Sequence, residues 1–121
     1  RTGDAVITPG FALSASHIIH TVGPIYDHHK QPELLLRASY DNCLAVAQEN
    51  ELQSIAFPAI SCGVFGYPKH EAMRIAFVCV QQIEEKGSLQ DVWFILFGDE
   101  MYEIGVSVAE SLFGAEMKQR E

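Results

Sequence analysis

Apolar residues fall first into short β-branched runs and then at three- and four-residue steps, and these two periods alternate along the chain. Ala5-Val6-Ile7-Thr8 predicts a strand, halted by the Pro9-Gly10 turn signal. His17-Ile18-Ile19-His20-Thr21-Val22 predicts a second strand, closed by Gly23-Pro24. Tyr26 to Lys30 reads as a polar loop, and Pro32 sits where a first helical turn tolerates proline. Leu36, Tyr40, Leu44 and Ala47 then recur on one face, with Glu33, Arg37, Asp41 and Glu49 off it, predicting a helix from about Pro32 to Glu49. Ser54 to Ile60 is short and nearly all apolar, as in a strand covered on both faces, although Pro58 removes one ladder donor.

After a Gly-rich loop, Pro68 opens a second helix with Ala72, Ile75, Ala76, Cys79 and Ile83 on one side, ended at Glu84-Glu85-Lys86-Gly87. Asp91 to Phe97 predicts another buried strand, stopped by Gly98, and Asp99 is placed to cap a third helix carrying Ile104, Val108 and Leu112. The order β-β-α-β-α-β-α, with connections short enough for crossover units, predicts an α/β fold: a mainly parallel sheet with helices on both faces.

With 121 residues the chain makes one domain. A composition 48% apolar and 20% charged is that of a globular chain and too apolar for disorder. No apolar run reaches the roughly 18 residues of a membrane span and no leader pattern opens the chain, so the expectation is a soluble intracellular protein, cytoplasmic or nuclear. Sixteen acidic against eight scattered basic residues give a net charge of −8, which argues against a duplex nucleic-acid surface, because that affinity comes from clustered cations. Backbone groups must then do the local work on any anionic ligand. Cys43, Cys62 and Cys79 are odd in number and widely spaced, and read as free thiols.

The densest chemistry lies in Ile60-Ser61-Cys62-Gly63-Val64-Phe65-Gly66-Tyr67-Pro68, between a strand end and a helix start. Ligands of open α/β sheets bind at that edge. Gly63 and Gly66 permit positive φ and close backbone approach, so successive N–H groups can form an anion cradle at a helix N-terminus. Phe65 and Tyr67 flank Gly66, and Phe97 would emerge at the same edge, which suits a nucleotide-like ligand better than inorganic phosphate. The competing reading is a tight β-to-α turn whose aromatics are core.

Cys62 beside a helix N-terminus, with His20 or His70 as base, would be the arrangement of a thiol nucleophile, but no spacing places either histidine within reach. His17 and His20 fall on opposite faces of a strand, and His28-His29 lack further ligands, so no metal site is read. No cofactor is implied either.

Three blocks, Ala5 to Gly10, His17 to Pro24 and Ser54 to Pro68, resemble in order three blocks of the macrodomain family of ADP-ribose-binding modules, some of which hydrolyse ADP-ribosyl esters or O-acetyl-ADP-ribose. The resemblance implies a three-layer α/β/α fold with a mainly parallel or mixed sheet. It also implies a ligand-binding set of Ser61, Cys62, Gly63, Val64, Phe65, Gly66 and Tyr67 around the diphosphate, with backbone donors from Ser61 to Phe65 and with Phe97 near the adenosine or ribose portion. The partner it implies is ADP-ribose or an ADP-ribosylated protein.

Family members also carry an Asn-Ala-Ala-Asn-like strand end and a Gly-Gly-Gly loop ahead of the first block, and this sequence has neither. That part holds the catalytic residues of hydrolytic members, the acidic residue that reads adenine, and a strand in the middle of the sheet. The chain, which begins at Arg1, thus resembles the C-terminal two-thirds of a macrodomain cut at its N-terminus: one partial domain, residues 1–121, with no catalytic residue assigned.

The strands around Ile19 and Phe57 would flank the absent strand, so they pair directly, leave a gap or accept a strand from another chain. An unpaired buried backbone group costs about 1 to 3 kcal/mol, which argues against an open gap. Exposed edges would favour a homodimer. Three functions remain open: an ADP-ribose-binding module, an O-acetyl-ADP-ribose deacetylase or mono-ADP-ribosyl hydrolase, and a non-binding remnant.

Overall fold

The computed structural model describes residues 1–83 and 87–114. Strands β1 (Ala5–Pro9) and β2 (His17–Thr21) form an antiparallel pair, with Ile7 opposite Ile19. A 3-10 turn at Tyr26–His28 leads to helix α1 (Pro32–Glu49). Strand β3 (Ser54–Phe57), helix α2 (Lys69–Gln81), strand β4 (Asp91–Phe94) and helix α3 (Asp99–Phe113) complete the order. Strands β3 and β4 are parallel, with Phe57 opposite Phe94. The α/β arrangement with a parallel pair agrees with the sequence reading.

Helix α1 has the predicted limits, Pro32 opening it and Asn50 closing it with its N–H on the Gln48 and Val46 carbonyls. Both later strands are shorter than their apolar runs. Strand β3 ends at Phe57, immediately before Pro58, and its last bond to the β4 side is the Ile95 N–H on the Phe57 carbonyl. Gly98, at φ 83°, rather than Asp99 holds the cap position of α3, and Asp99 instead places its charge in the first turn, where it opposes the helix dipole. The predicted end of α2 at Glu84–Lys86 and the tail from 116 lie outside the described residues.

The core gathers on one face of the strands. Tyr40 of α1 and Phe77 of α2 both touch the Phe94 ring, at 6.2 and 4.8 Å, and Phe57 stacks on Phe94 at 5.5 Å. Met101 and Val108 of α3 pack with Met73 and Phe77 against Phe94 and Leu96. All three helices therefore cover the face that carries Phe57 and Phe94. On the other face Ser54, Ala56 and Trp93 are exposed, so these strands alternate instead of being covered on both sides. Of the layers the family fold implies, the described residues supply the strands and one helix layer.

The two pairs do not join into one sheet. The gap that hydrogen-bond energetics disfavoured is present; on its β3 side Ser54 and Ala56 are exposed, and the penalty argued for it applies to buried groups.

Candidate ligand-binding loop

Residues 58–68 connect the carboxyl end of β3 to α2, beside the segment that carries Phe97 from β4 to α3. Helix α1 fixes the start of this loop. The buried Tyr40 hydroxyl donates to the Pro58 carbonyl at 3.3 Å and accepts the Ile60 N–H at 3.1 Å, so a phenol held in the core pins both sides of the turn. Burial raises the Tyr40 pKa well above its ordinary value, which keeps the donating proton in place.

Beyond Ile60 the chain enters the left-handed region twice, at Ser61 (φ 68°) and Gly66 (φ 72°). Glycine takes that conformation without penalty, whereas a serine is strained there. The turn is closed by Gly66 N–H to the Gly63 carbonyl at 3.0 Å and Tyr67 N–H to the Ser61 carbonyl at 2.9 Å. From outside, the Tyr26 N–H reaches the Phe65 carbonyl at 2.9 Å, and the Tyr26 and Tyr67 rings meet edge-on at 4.9 Å. Gly23 passes so close that an added Cβ would lie 2.3 Å from Ser61 Oγ and 2.4 Å from Ile60 Cγ2.

The state of the loop amides separates an anion cradle from a plain turn. Those of Gly66 and Tyr67 are consumed within the turn, and that of Cys62 bonds the Ala59 carbonyl at 3.3 Å. Those of Ser61, Gly63, Val64 and Phe65 make no hydrogen bond to another described residue. Four of the five donors expected from the sequence are thus available, and Cys62 is the one already engaged. Ser61 Oγ is buried and is without a hydrogen-bond partner among the described residues.

The loop lies between two hollows. A larger one, of about 1060 Å³, runs between β2 and β3 and reaches Ser61 and Phe65. A smaller one, of about 510 Å³, is bordered by Cys62, Gly63, Phe97 and the first residues of α2 and α3. The aromatics are divided accordingly. Phe65 lines the larger hollow, Phe97 stands 91% exposed at the smaller, and Tyr67 is a core residue with 4% exposure. Val64 is 98% exposed at the loop tip, so its contribution is an amide and not a packed side chain.

Lys69, the first residue of α2, stands at the smaller hollow and pairs with Glu100 in the first turn of α3, an exposed link between two helix N-termini. Its bond to Lys69 lowers the Glu100 pKa. Sequence reading passed over this lysine and over Tyr26. The adjacency of Lys69 to Pro68 was a local signal for the first, but the pairing of Tyr26 with Phe65 spans 39 positions and leaves no local trace.

The thiol-nucleophile arrangement does not form among the described residues. Burial raises the Cys62 pKa, with Lys69 offsetting part of the effect, so the thiolate is disfavoured. His20 shares a hydrogen bond of 2.9 Å with Thr8 Oγ1 on the hairpin instead. Among the described residues no three or more His, Cys, Asp or Glu side chains gather as a metal cluster.

Comparison with known proteins decides the family. The Macro domain family model matches residues 1–76, a stretch that includes the whole candidate loop. The chain belongs to the Macro domain family.

Among curated macrodomain relatives, a macro domain-containing protein of Vibrio parahaemolyticus is 45% identical over 102 residues, 84% of this chain and 59% of its own length. An O-acetyl-ADP-ribose deacetylase of Salmonella newport is 47% identical over 103 residues, 83% of this chain and 57% of its own length. A macrodomain of Oceanobacillus iheyensis solved with ADPR superposes with a TM-score of 0.87 at 40% identity, over 93% of this chain and 61% of that one. A Trypanosoma brucei macrodomain in complex with ADP-ribose gives 0.81 at 34% identity, over 88% and 45%. This chain spans less than three-fifths of the length of the two curated relatives.

Proposed function

We propose that this macrodomain chain binds ADP-ribose, free or attached to a protein, and holds its diphosphate on the free main-chain amides of Ser61, Gly63, Val64 and Phe65. The observation that carries this reading is the set of four donors without hydrogen-bond partners among the described residues at a strand-to-helix junction, in a chain whose net charge of −8 offers little cationic alternative. Hydrogen bonds to a charged group contribute about 1.5 to 3 kcal/mol each, so four amides suffice for a diphosphate without a lysine or arginine. The solved relatives with ADPR and with ADP-ribose support the choice of ligand. Phe97 at the smaller hollow is the wall assigned to the adenosine portion.

Calorimetric titration with ADP-ribose tests the proposal. Saturable heat with submillimolar affinity is expected, while the absence of both heat and a thermal shift at millimolar ligand would remove it.

A catalytic reading draws on the similarity to the Salmonella deacetylase. The sequence resemblance puts the catalytic segment outside this chain, so we infer binding without turnover. Deacetylation of O-acetyl-ADP-ribose by the isolated chain should not exceed the buffer rate.

A further inference from the structure

The smaller hollow, of about 510 Å³, has room for a nucleoside portion, and its charges are already matched within the protein. It lies where α2 and α3 begin, so two helix N-termini bring their partial positive charge to it. Of the described residues that border it, Lys69 is the one cation, and Asp99 and Glu100 are the anions. Both carboxylates stand in the first turn of α3, where they offset the helix dipole, and Glu100 also holds the Lys69 ammonium. That bond lowers the Glu100 pKa, so the side chain is ionised at neutral pH.

The two ends of the candidate site therefore differ in sign. Ser61, Gly63, Val64 and Phe65 offer amides without hydrogen-bond partners among the described residues. The hollow beside Phe97 instead offers a cation that is already bonded, next to one carboxylate in excess. An anionic group placed there would lie beside Asp99 and compete with Glu100 for Lys69, whereas a neutral nucleoside meets neither penalty. Like charges repel more strongly in a partly enclosed hollow than in open water. Dinucleotide sites of other folds use the same contrast: an acidic side chain at the ribose suits the unphosphorylated form, and an arginine admits a 2′-phosphate.

We propose that Glu100 is a specificity-determining residue: by holding Lys69 and adding negative charge beside Phe97, it restricts the hollow to a nucleoside end whose ribose carries no phosphate. The inference rests on the ADP-ribose reading, with the adenosine portion against Phe97, and deepens it. The form it selects is ADP-ribose as against ADP-ribose 2′-phosphate, whose extra group brings roughly 1.5 to 2 further negative charges at pH 7.

Calorimetric titration of the whole chain with each of these two ligands tests the proposal. The unaltered chain should bind ADP-ribose at least tenfold more tightly than its 2′-phosphate. Glu100→Gln should cut that ratio at least fivefold by gaining affinity for the phosphorylated ligand. The gain should fade with added salt, because it is an attraction to the released Lys69 ammonium. Adding Lys69→Met to Glu100→Gln should abolish it. Both side chains are exposed, Lys69 by 40% and Glu100 by 71%, so their pairing adds little to folding and the variants should melt close to the unaltered chain.

Equal affinity of the unaltered chain for the two ligands overturns the proposal. So does a ratio that Glu100→Gln leaves unchanged, or a gain that persists without Lys69. Failure of the unaltered chain to bind either ligand removes the ADP-ribose reading and this inference with it. Binding of ADP-ribose without discrimination removes the inference alone.

Discussion

Ser61 concentrates the unusual features of the loop: a left-handed backbone and, among the described residues, a buried hydroxyl and an amide without hydrogen-bond partners. Strain of this kind is retained where the surrounding structure enforces it, here through Tyr40 at one end and the Tyr67 N–H at the other. Val64 gives the cleaner test, because its side chain is exposed and its amide is unbonded among the described residues. Val64→Pro should leave the melting temperature nearly unchanged and weaken ADP-ribose binding about tenfold or more, the equivalent of 1.4 kcal/mol for one charged hydrogen bond. Calorimetry on the variant beside the parent reads the difference.

The cysteines differ in the same residue-by-residue way. Burial pushes the Cys43 thiol to about 11 and the Cys79 thiol to about 12, and both side chains are enclosed, whereas Cys62 is only half-buried. Iodoacetamide at pH 8 should therefore modify Cys62 first, with Cys43 and Cys79 reacting only as the protein unfolds. Mass spectrometry of partially modified protein checks the order, and ADP-ribose should slow the Cys62 reaction.

At the scale of elements, helix α1 was legible to the residue because its apolar face repeats over five turns and a proline marks its start. Strand lengths were less legible. The runs Ser54 to Ile60 and Asp91 to Phe97 contain alanine and aromatic residues that are compatible with either face, so composition alone could not show that Ala56 and Trp93 meet solvent. The loop was recognisable as an anion cradle from its glycines, but which amides stay free depends on Tyr40 and Tyr26, contacts that span 20 and 39 positions. Gly23 belongs to this level as well. Gly23→Ala would drive a methyl group into the side chains of Ser61 and Ile60, so these must give way; a loss of about 1 to 3 kcal/mol in stability, with weaker ADP-ribose binding, is expected from denaturant titration and calorimetry.

For the whole molecule, the helices pack on the face of β3 and β4 that carries Phe57 and Phe94, in two core clusters, one with Leu36, Tyr40 and Phe57 and one with Met73, Phe77, Met101 and Val108, which meet at Phe94. That core positions the loop at the carboxyl edge without help from charged side chains. The division of the sheet was only partly legible: the resemblance named a strand that would lie in its middle, while the exposure of Ser54 and Ala56 along the gap became visible only in three dimensions. In a chain with a net charge of −8, main-chain dipoles at this junction are the donors that the proposal assigns to a diphosphate. Amide chemical-shift mapping during an ADP-ribose titration tests it most directly. The largest shifts are expected on Ser61, Gly63, Val64 and Phe65, with Gly66 and Tyr67 moving less because their N–H groups are already bonded; saturation with those four amides unmoved would rule out diphosphate binding through them.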